Sequence, residues 1–154
     1  MWRAFIAATV LAIAGCAQIP LSPQEIADRK METVPGRAVV YIVQDPYSTY
    51  NYGAGLTFDD GTEITTWPGT FYRWVTTPGV HTITNTEGNL NARITLQVEA
   101  GKIYFVQHWV TGLRGSTTDT RLSLISATVG RALVTGGRLA TIVVPGGSRT
   151  PSVQ

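Results

Sequence analysis

One apolar stretch decides the fold of this chain: Ala38-Val39-Val40-Tyr41-Ile42-Val43-Gln44. Apolar residues follow one another without alternation, so a strand built from them presents a hydrophobic surface on both faces. Such a strand must be covered on both sides. We therefore predict that residues 38–44 form a central strand of a sheet.

A second stretch, residues 91–99, has the opposite pattern. Successive side chains of a strand point to opposite faces, and here apolar and polar residues alternate. The apolar set is Ala92, Ile94, Leu96 and Val98, and the polar set is Arg93, Thr95, Gln97 and Glu99. This pattern predicts a strand with one face on the core and the other in solvent.

Further short strands are expected around these two, each bounded by turn residues. We predict them at residues 56–58, 62–66, 69–76, 80–86, 102–111 and 121–126. The turns between them contain Asp59-Asp60-Gly61, Pro78-Gly79 and Ala100-Gly101, and a short helix at residues 127–134 is expected to end at Gly136-Gly137. Seven to eight short strands of this kind predict an all-β fold, an antiparallel β-sandwich.

The first fifteen residues have the pattern of a signal peptide. Arg3 supplies one positive charge, and residues 4–14 carry none. A membrane-spanning helix needs about 20 apolar residues, so this run is too short to span a bilayer and suits an export signal.

The residues that follow resemble the lipobox of bacterial lipoproteins: Ile13-Ala14-Gly15-Cys16. The resemblance implies diacylglycerol on the Cys16 sulfur, cleavage before Cys16 and acylation of the new amine, so that Cys16 binds the lipid bilayer. Cys16 is the only cysteine, and lipidation would remove a free thiol from an oxidising compartment. The alternative is an ordinary signal peptide in which Cys16 is incidental.

By resemblance to Gram-negative lipoprotein sorting, Ala17 in place of aspartate implies the outer membrane, with the domain facing the periplasm. The whole chain has 12 basic and 10 acidic residues. A domain that binds nucleic acid usually has a strong excess of basic residues, so this near-neutral balance does not indicate nucleic-acid binding.

We divide the chain into four segments. Residues 1–15 are the signal peptide, 16–36 the lipidated N-terminus and spacer, 37–135 the β-sandwich domain, and 136–154 a Gly/Pro-rich tail. Ser22-Pro23-Gln24-Glu25 has the form of a capping box and predicts a short spacer helix at residues 23–32. The tail has a further strand pattern at residues 139–144, which fits either a last strand of the sheet or a strand that pairs with a partner.

Five motifs occur in an order that resembles a family of bacterial lipoprotein β-domains of unknown function, with a pattern close to that of PEGA-type surface domains. They are Gly36-Arg37-Ala38-Val39-Val40-Tyr41, Phe58-Asp59-Asp60-Gly61, Gly69-Thr70-Phe71-Tyr72, Thr77-Pro78-Gly79-Val80-His81-Thr82-Ile83 and Glu99-Ala100-Gly101-Lys102-Ile103-Tyr104-Phe105-Val106. The resemblance covers residues 36–134 and implies the fold and a structural role for the turn histidine. It implies no activity, and the hairpin at Asp59 lacks the glycine that usually follows a few residues later.

The polar residues that could carry chemistry form no recognisable catalytic set. His81 and His108 lack a third metal ligand in any known spacing, so we predict structural roles for both and no metal or other cofactor. Asp59, Asp60 and Glu63 surround one hairpin turn, where solvated carboxylates are common. We therefore expect no catalytic residue and no enzymatic activity.

The most promising binding segment is the loop that contains Tyr47, Tyr50 and Tyr52. Tyrosines among Ser, Thr, Asn and Gly are typical of binding loops, although such rings can also cover a sheet edge. A glycan-stacking face from Trp67, Tyr72, Trp74 and Trp109 is a weaker expectation, because alternation should bury some of them. Our first hypothesis is a module that binds another envelope protein, and the alternative is a glycan- or peptide-binding module.

Overall fold

A computed structural model of the chain describes residues 20–86, 92–113 and 118–143. These ranges contain two helices, α1 (Pro23–Asp28) and α2 (Ala127–Gly136). The strands are β1 (Ala38–Gln44), β2 (Ala54–Phe58), β3 (Glu63–Thr66), β4 (Thr70–Thr76), β5 (Gly79–Asn85), β6 (Arg93–Val98), β7 (Ile103–Thr111), β8 (Asp119–Leu124), β9 (Arg138–Leu139) and β10 (Thr141–Ile142).

The strands form two sheets, and the predicted β-sandwich is confirmed. The first sheet has the order β8-β7-β1-β4-β9, and the second has the order β10-β3-β2-β5-β6. As predicted, β1 lies in the centre of its sheet, and all of its residues are buried. Most pairs are antiparallel, but β1 pairs with β7 and β4 with β9 in parallel. The first sheet is therefore mixed rather than purely antiparallel.

The main core lies between the two sheets. Inward-facing residues of β1, Val40 and Ile42, pack against Leu56, Ile83 and other side chains of the second sheet. Residues of β6 alternate as predicted, with Leu96 and Val98 buried. Burial of such side chains contributes about 1.5–3 kcal/mol each to the free energy of folding.

A second core covers the outer face of the first sheet. The ring of Tyr41 stacks on Phe105, with ring centroids 5.5 Å apart, and both pack under α2 through Val134. Gly130 of α2 lies so close to Phe105 that an added Cβ would be 2.2 Å from the ring. The molecule thus has three layers: the helices, the first sheet and the second sheet.

The predicted N-terminal helix is present, but it is part of the folded domain. Its capping box is formed by Ser22 and Glu25 as predicted. The helix ends at Asp28 rather than near Glu32, because Met31 turns the chain with a positive φ of 52° and packs on the second core. The Tyr41 hydroxyl donates a 2.6 Å hydrogen bond to the Asp28 carbonyl. The described part of the predicted spacer is therefore attached to the sandwich.

The tail also pairs within the domain where it is described. Residues 138–139 pair with β4, and residues 141–142 pair with β3 of the other sheet. Ala140 is buried between them and donates a 2.7 Å backbone hydrogen bond to Phe71. The single tail strand that we predicted is thus two short strands that join the edges of both sheets.

Two predicted turns carry the chain between the sheets. The Pro78-Gly79 turn joins β4 of the first sheet to β5 of the second, and Ala100-Gly101 returns the chain to β7. The predicted helix α2 begins after its N-cap Ser126 and ends at the C-cap Gly137. Neither helix of the described ranges has the length and apolarity needed to cross a bilayer.

Candidate functional site

The tyrosine loop lies at the end of the sandwich where β1 leads into β2. Tyr47 is 87% exposed and Tyr52 is 40% exposed. Tyr50 is half-buried and lies against Tyr52, with ring centroids 5.5 Å apart at 60°. The three predicted binding residues therefore present aromatic surface to solvent, most of it from Tyr47.

Hydrogen bonds to residues of β7 and within the loop hold the tyrosine loop in place. Asp45 accepts from the backbone N–H of Tyr47 through Oδ1 at 2.8 Å, and from Gln107 Nε2 through Oδ2 at 3.1 Å. Ser48 is buried, and its hydroxyl donates to the carbonyl of Val110. A loop fixed in this way loses less conformational entropy when it binds a ligand.

A buried polar cluster, Gln44, Ser48, Thr66 and His108, lies under the loop. The Thr66 hydroxyl donates to the carbonyl of Ala54 at 3.2 Å, so it accepts from His108 Nδ1 at 2.9 Å. This leaves His108 Nε2 as an acceptor, and burial lowers the pKa of His108 to about 4. His108 is therefore neutral at neutral pH and serves as an interior hydrogen-bond donor, in line with the structural role that we predicted.

Trp67 lies beside the tyrosine loop and is 44% exposed. An added Cβ at Gly53 would approach the Trp67 ring to 3.0 Å and Thr65 Cγ2 to 2.5 Å. Only glycine lets the loop backbone lie this close to the ring. We define the aromatic end of the molecule as Tyr47, Tyr50, Tyr52 and Trp67.

The other aromatic residues do not form one glycan-stacking face with Trp67. Trp74 is buried in the main core, and Tyr72 packs against that core. Trp109 is exposed on the outer face of the first sheet, because its neighbour His108 faces inward. Strand alternation thus separates these rings into interior and exterior positions, as expected for some of them, so the four residues do not form one face.

The hairpin carboxylates and His81 form a hydrogen-bond network near the start of β5, beside the Pro78-Gly79 turn. His81 Nδ1 lies 3.0 Å from Asp59 Oδ2, and His81 Nε2 lies 2.8 Å from the carbonyl of Thr77. Asp60 accepts from the indole of Trp74 at 2.8 Å. Burial by itself would raise the pKa of Asp60, but its hydrogen bonds from Thr62 and Trp74 outweigh this and lower it.

This network resembles an acid–histidine–hydroxyl triad, since the Thr76 hydroxyl is 3.3 Å from His81 Nε2. A triad histidine must take the hydroxyl proton on that nitrogen. Here Nε2 lies closer to the carbonyl of Thr77, at 2.8 Å, than to the Thr76 hydroxyl, so its main partner is a backbone acceptor and not the hydroxyl. Thr76 is also buried. The arrangement locks the Pro-Gly turn, which fits the hydrogen-bonding role that we predicted for His81.

In residues 20–86, 92–113 and 118–143, no three His, Cys, Asp or Glu side chains lie together as a metal site would require. Glu63, the third hairpin carboxylate, is exposed. The predicted lipobox and lipidation site, Ile13, Ala14, Gly15 and Cys16, lie outside the described residues. Lipidation of Cys16 therefore stays a prediction from the sequence.

Comparison with known proteins gave no match, either to a protein-family model or to a curated protein. The resemblance to lipoprotein β-domains accordingly stays a prediction from the five sequence motifs.

Proposed function

We propose that this protein is a lipid-anchored bacterial envelope lipoprotein, without enzymatic activity, whose β-sandwich binds another envelope protein through its aromatic end. The observation that carries the proposal is an exposed tyrosine loop fixed to the core. Tyr47 is 87% exposed while Ser48, the next residue, is buried and hydrogen-bonded.

The composition of this surface suits a protein partner. Tyrosine and tryptophan contribute large contact areas at low entropic cost, and they are enriched among the residues that dominate binding energy. Tyr52 and Trp67 are each about two-fifths exposed, so part of each ring stays packed on the domain. Such rings need little ordering before contact.

The anchor in the proposal comes from Cys16. Each buried CH₂ contributes about 0.8 kcal/mol to membrane binding, so two or three acyl chains would hold the protein at the membrane. Cys16→Ser should release the protein from membranes on fractionation. Continued membrane association of this variant would disprove the lipobox interpretation.

The partner is tested by affinity purification of the anchored protein from solubilised membranes. We expect a stoichiometric envelope protein with the wild type, and its loss when Tyr47, Tyr50 and Tyr52 are changed to alanine. Val80→Ser is the matched control, because Val80 is 63% exposed near the opposite end of the sandwich. Thermal unfolding of each variant checks that folding is unchanged.

Two outcomes would overturn the proposal. One is equal partner recovery with the triple alanine variant and the wild type. The other is recovery of peptidoglycan or another glycan without stoichiometric protein, which would favour the alternative glycan- or peptide-binding module.

A further inference from the structure

A second exposed surface lies on the outer face of the first sheet, where α2 does not cover it. Trp109 projects there from β7 and is 36% exposed. Arg121 of β8 is its direct cross-strand neighbour and is exposed. On the same face, Gln107 precedes Trp109 by two residues. We call Asp45, Gln107, Trp109 and Arg121 the Trp109 face.

The polar residues of this face are neighbours of Trp109 in the sheet: Arg121 is its cross-strand partner on β8, and Gln107 precedes it by two residues on β7. Neighbouring strands are about 5 Å apart, and residues i and i+2 on a strand about 7 Å. Gln107 Nε2 donates a 3.1 Å hydrogen bond to Asp45 Oδ2, which brings Asp45 to the other side of β7 from Arg121. One apolar ring is therefore bordered by a carboxylate, an amide and a guanidinium.

The hydrogen-bonding capacity of these groups is only partly used. Asp45 accepts one hydrogen bond at each oxygen from the described residues, and a carboxylate offers about four acceptor sites. Arg121 forms no hydrogen bond or ion pair with any residue of the described ranges. Acceptors and donors thus lie on opposite sides of a flat ring.

This chemistry distinguishes a sugar from a protein as the occupant. A protein interface buries several apolar side chains at its centre, and the Trp109 face has one. A pyranose has an apolar C–H face that can stack on a single aromatic ring, and hydroxyls around its edge that both donate and accept. The hydroxyls would reach Asp45 and Arg121 while the ring covers Trp109.

We propose that the Trp109 face is a saccharide-binding site in which a pyranose stacks on Trp109 and hydrogen-bonds to Asp45 and Arg121. Its ring, Trp109, is not one of the four residues of the aromatic end, and saccharide binding does not require the proposed protein partner. The two sites share Asp45, which also accepts a hydrogen bond from the backbone N–H of Tyr47.

The test is titration of the full chain with soluble oligosaccharides of glucose, N-acetylglucosamine, galactose and mannose, followed by NMR of the tryptophan indole N–H signals. We expect at least one sugar to shift the Trp109 signal in a saturable way. Trp109→Ala should weaken binding of that sugar about tenfold or more. Trp67→Ala, which removes a ring of similar exposure, should leave it unchanged.

Arg121→Ala provides a second variant, since an exposed side chain can be removed without loss of folding. We expect Arg121→Ala to weaken the binding of the same sugar several-fold. The proposal is overturned if no sugar shifts the Trp109 signal at millimolar concentration. It is also overturned if the shifts occur at Trp67 instead, or if Trp109→Ala and Arg121→Ala both fold and bind as the wild type does.

Discussion

The carboxylate of Glu25 accepts a 2.9 Å hydrogen bond from the backbone N–H of Leu139, 114 residues later in the chain. The same oxygen lies 3.1 Å from Arg138 Nε, and the other accepts from the backbone of Ser22 at 3.0 Å. Burial by itself would raise the pKa of Glu25, but the backbone hydrogen bonds and the charge of Arg138 outweigh this and lower it. One side chain therefore joins α1 to β9.

We predict that Glu25→Ala lowers the free energy of unfolding by about 2–3 kcal/mol, because it removes half of a capping box and leaves the Leu139 N–H without its acceptor. Urea denaturation measures this. Glu99→Ala, at an exposed position, should change the value by less than about 0.5 kcal/mol. Similar values for the two variants would show that α1 is not tied to the tail through Glu25.

Two glycines of α2 should respond oppositely to the same substitution. Gly130→Ala places a Cβ 2.2 Å from Phe105 Cγ, whereas nothing lies within 4 Å of a Cβ at Gly136. We expect Gly130→Ala to destabilise the protein by about 1–3 kcal/mol through overpacking. Gly136→Ala should stabilise it by about 0.5 kcal/mol. Thermal unfolding compares them, and equal shifts in midpoint would contradict the close packing of α2 on Phe105.

The buried His108 predicts a specific pH dependence. Its pKa falls from 6.5 to about 4 on burial, so between these values the unfolded chain binds a proton that the folded chain does not. Stability is therefore complete above about pH 6.5 and decreases as the pH falls towards 4, by at most about 3 kcal/mol. The contributions of Glu25 and Asp60, whose pKa values are lowered from 4.5 and 3.8, are complete above those ordinary values and are lost as the pH falls below them.

His108→Gln isolates the effect, because all other titrating groups are unchanged. We expect the difference in unfolding free energy between wild type and variant to change steadily from pH 6.5 to 4. A difference that stays constant across this range would mean that His108 titrates normally in the folded protein.

Local patterns predicted much of the fold. The apolar run 38–44 indicated the central strand, and Gly61 adopts the positive φ of 84° expected at the Asp59-Asp60-Gly61 hairpin. The parallel pairing of β1 with β7 could not be predicted, because it joins segments about 60 residues apart and depends on how the sheets stack. The close approach of Gly130 to Phe105 could not be predicted either, because it depends on how α2 packs on the first sheet.

The candidate site was predicted less completely. The composition of the tyrosine loop indicated exposed rings, and the structure places Tyr47 and Tyr52 at the surface. Alternation predicted that some of the four aromatic residues would be buried, but which ones depends on strand register and not on composition: Trp74 is buried, whereas Trp67 and Trp109 are exposed. The contact of Gln107 with Asp45, which defines the Trp109 face, crosses between β7 and the loop and has no local sequence signal.

The most direct test of the central claim is photo-cross-linking in cells, with a photoreactive amino acid placed at Tyr47 or at Val80 in the chain that retains Cys16. The account predicts one discrete adduct with an envelope protein from position 47, recovered in the membrane fraction, and none from position 80. Equal adducts from both positions, or none from position 47, would contradict an anchored module that binds its partner through the aromatic end.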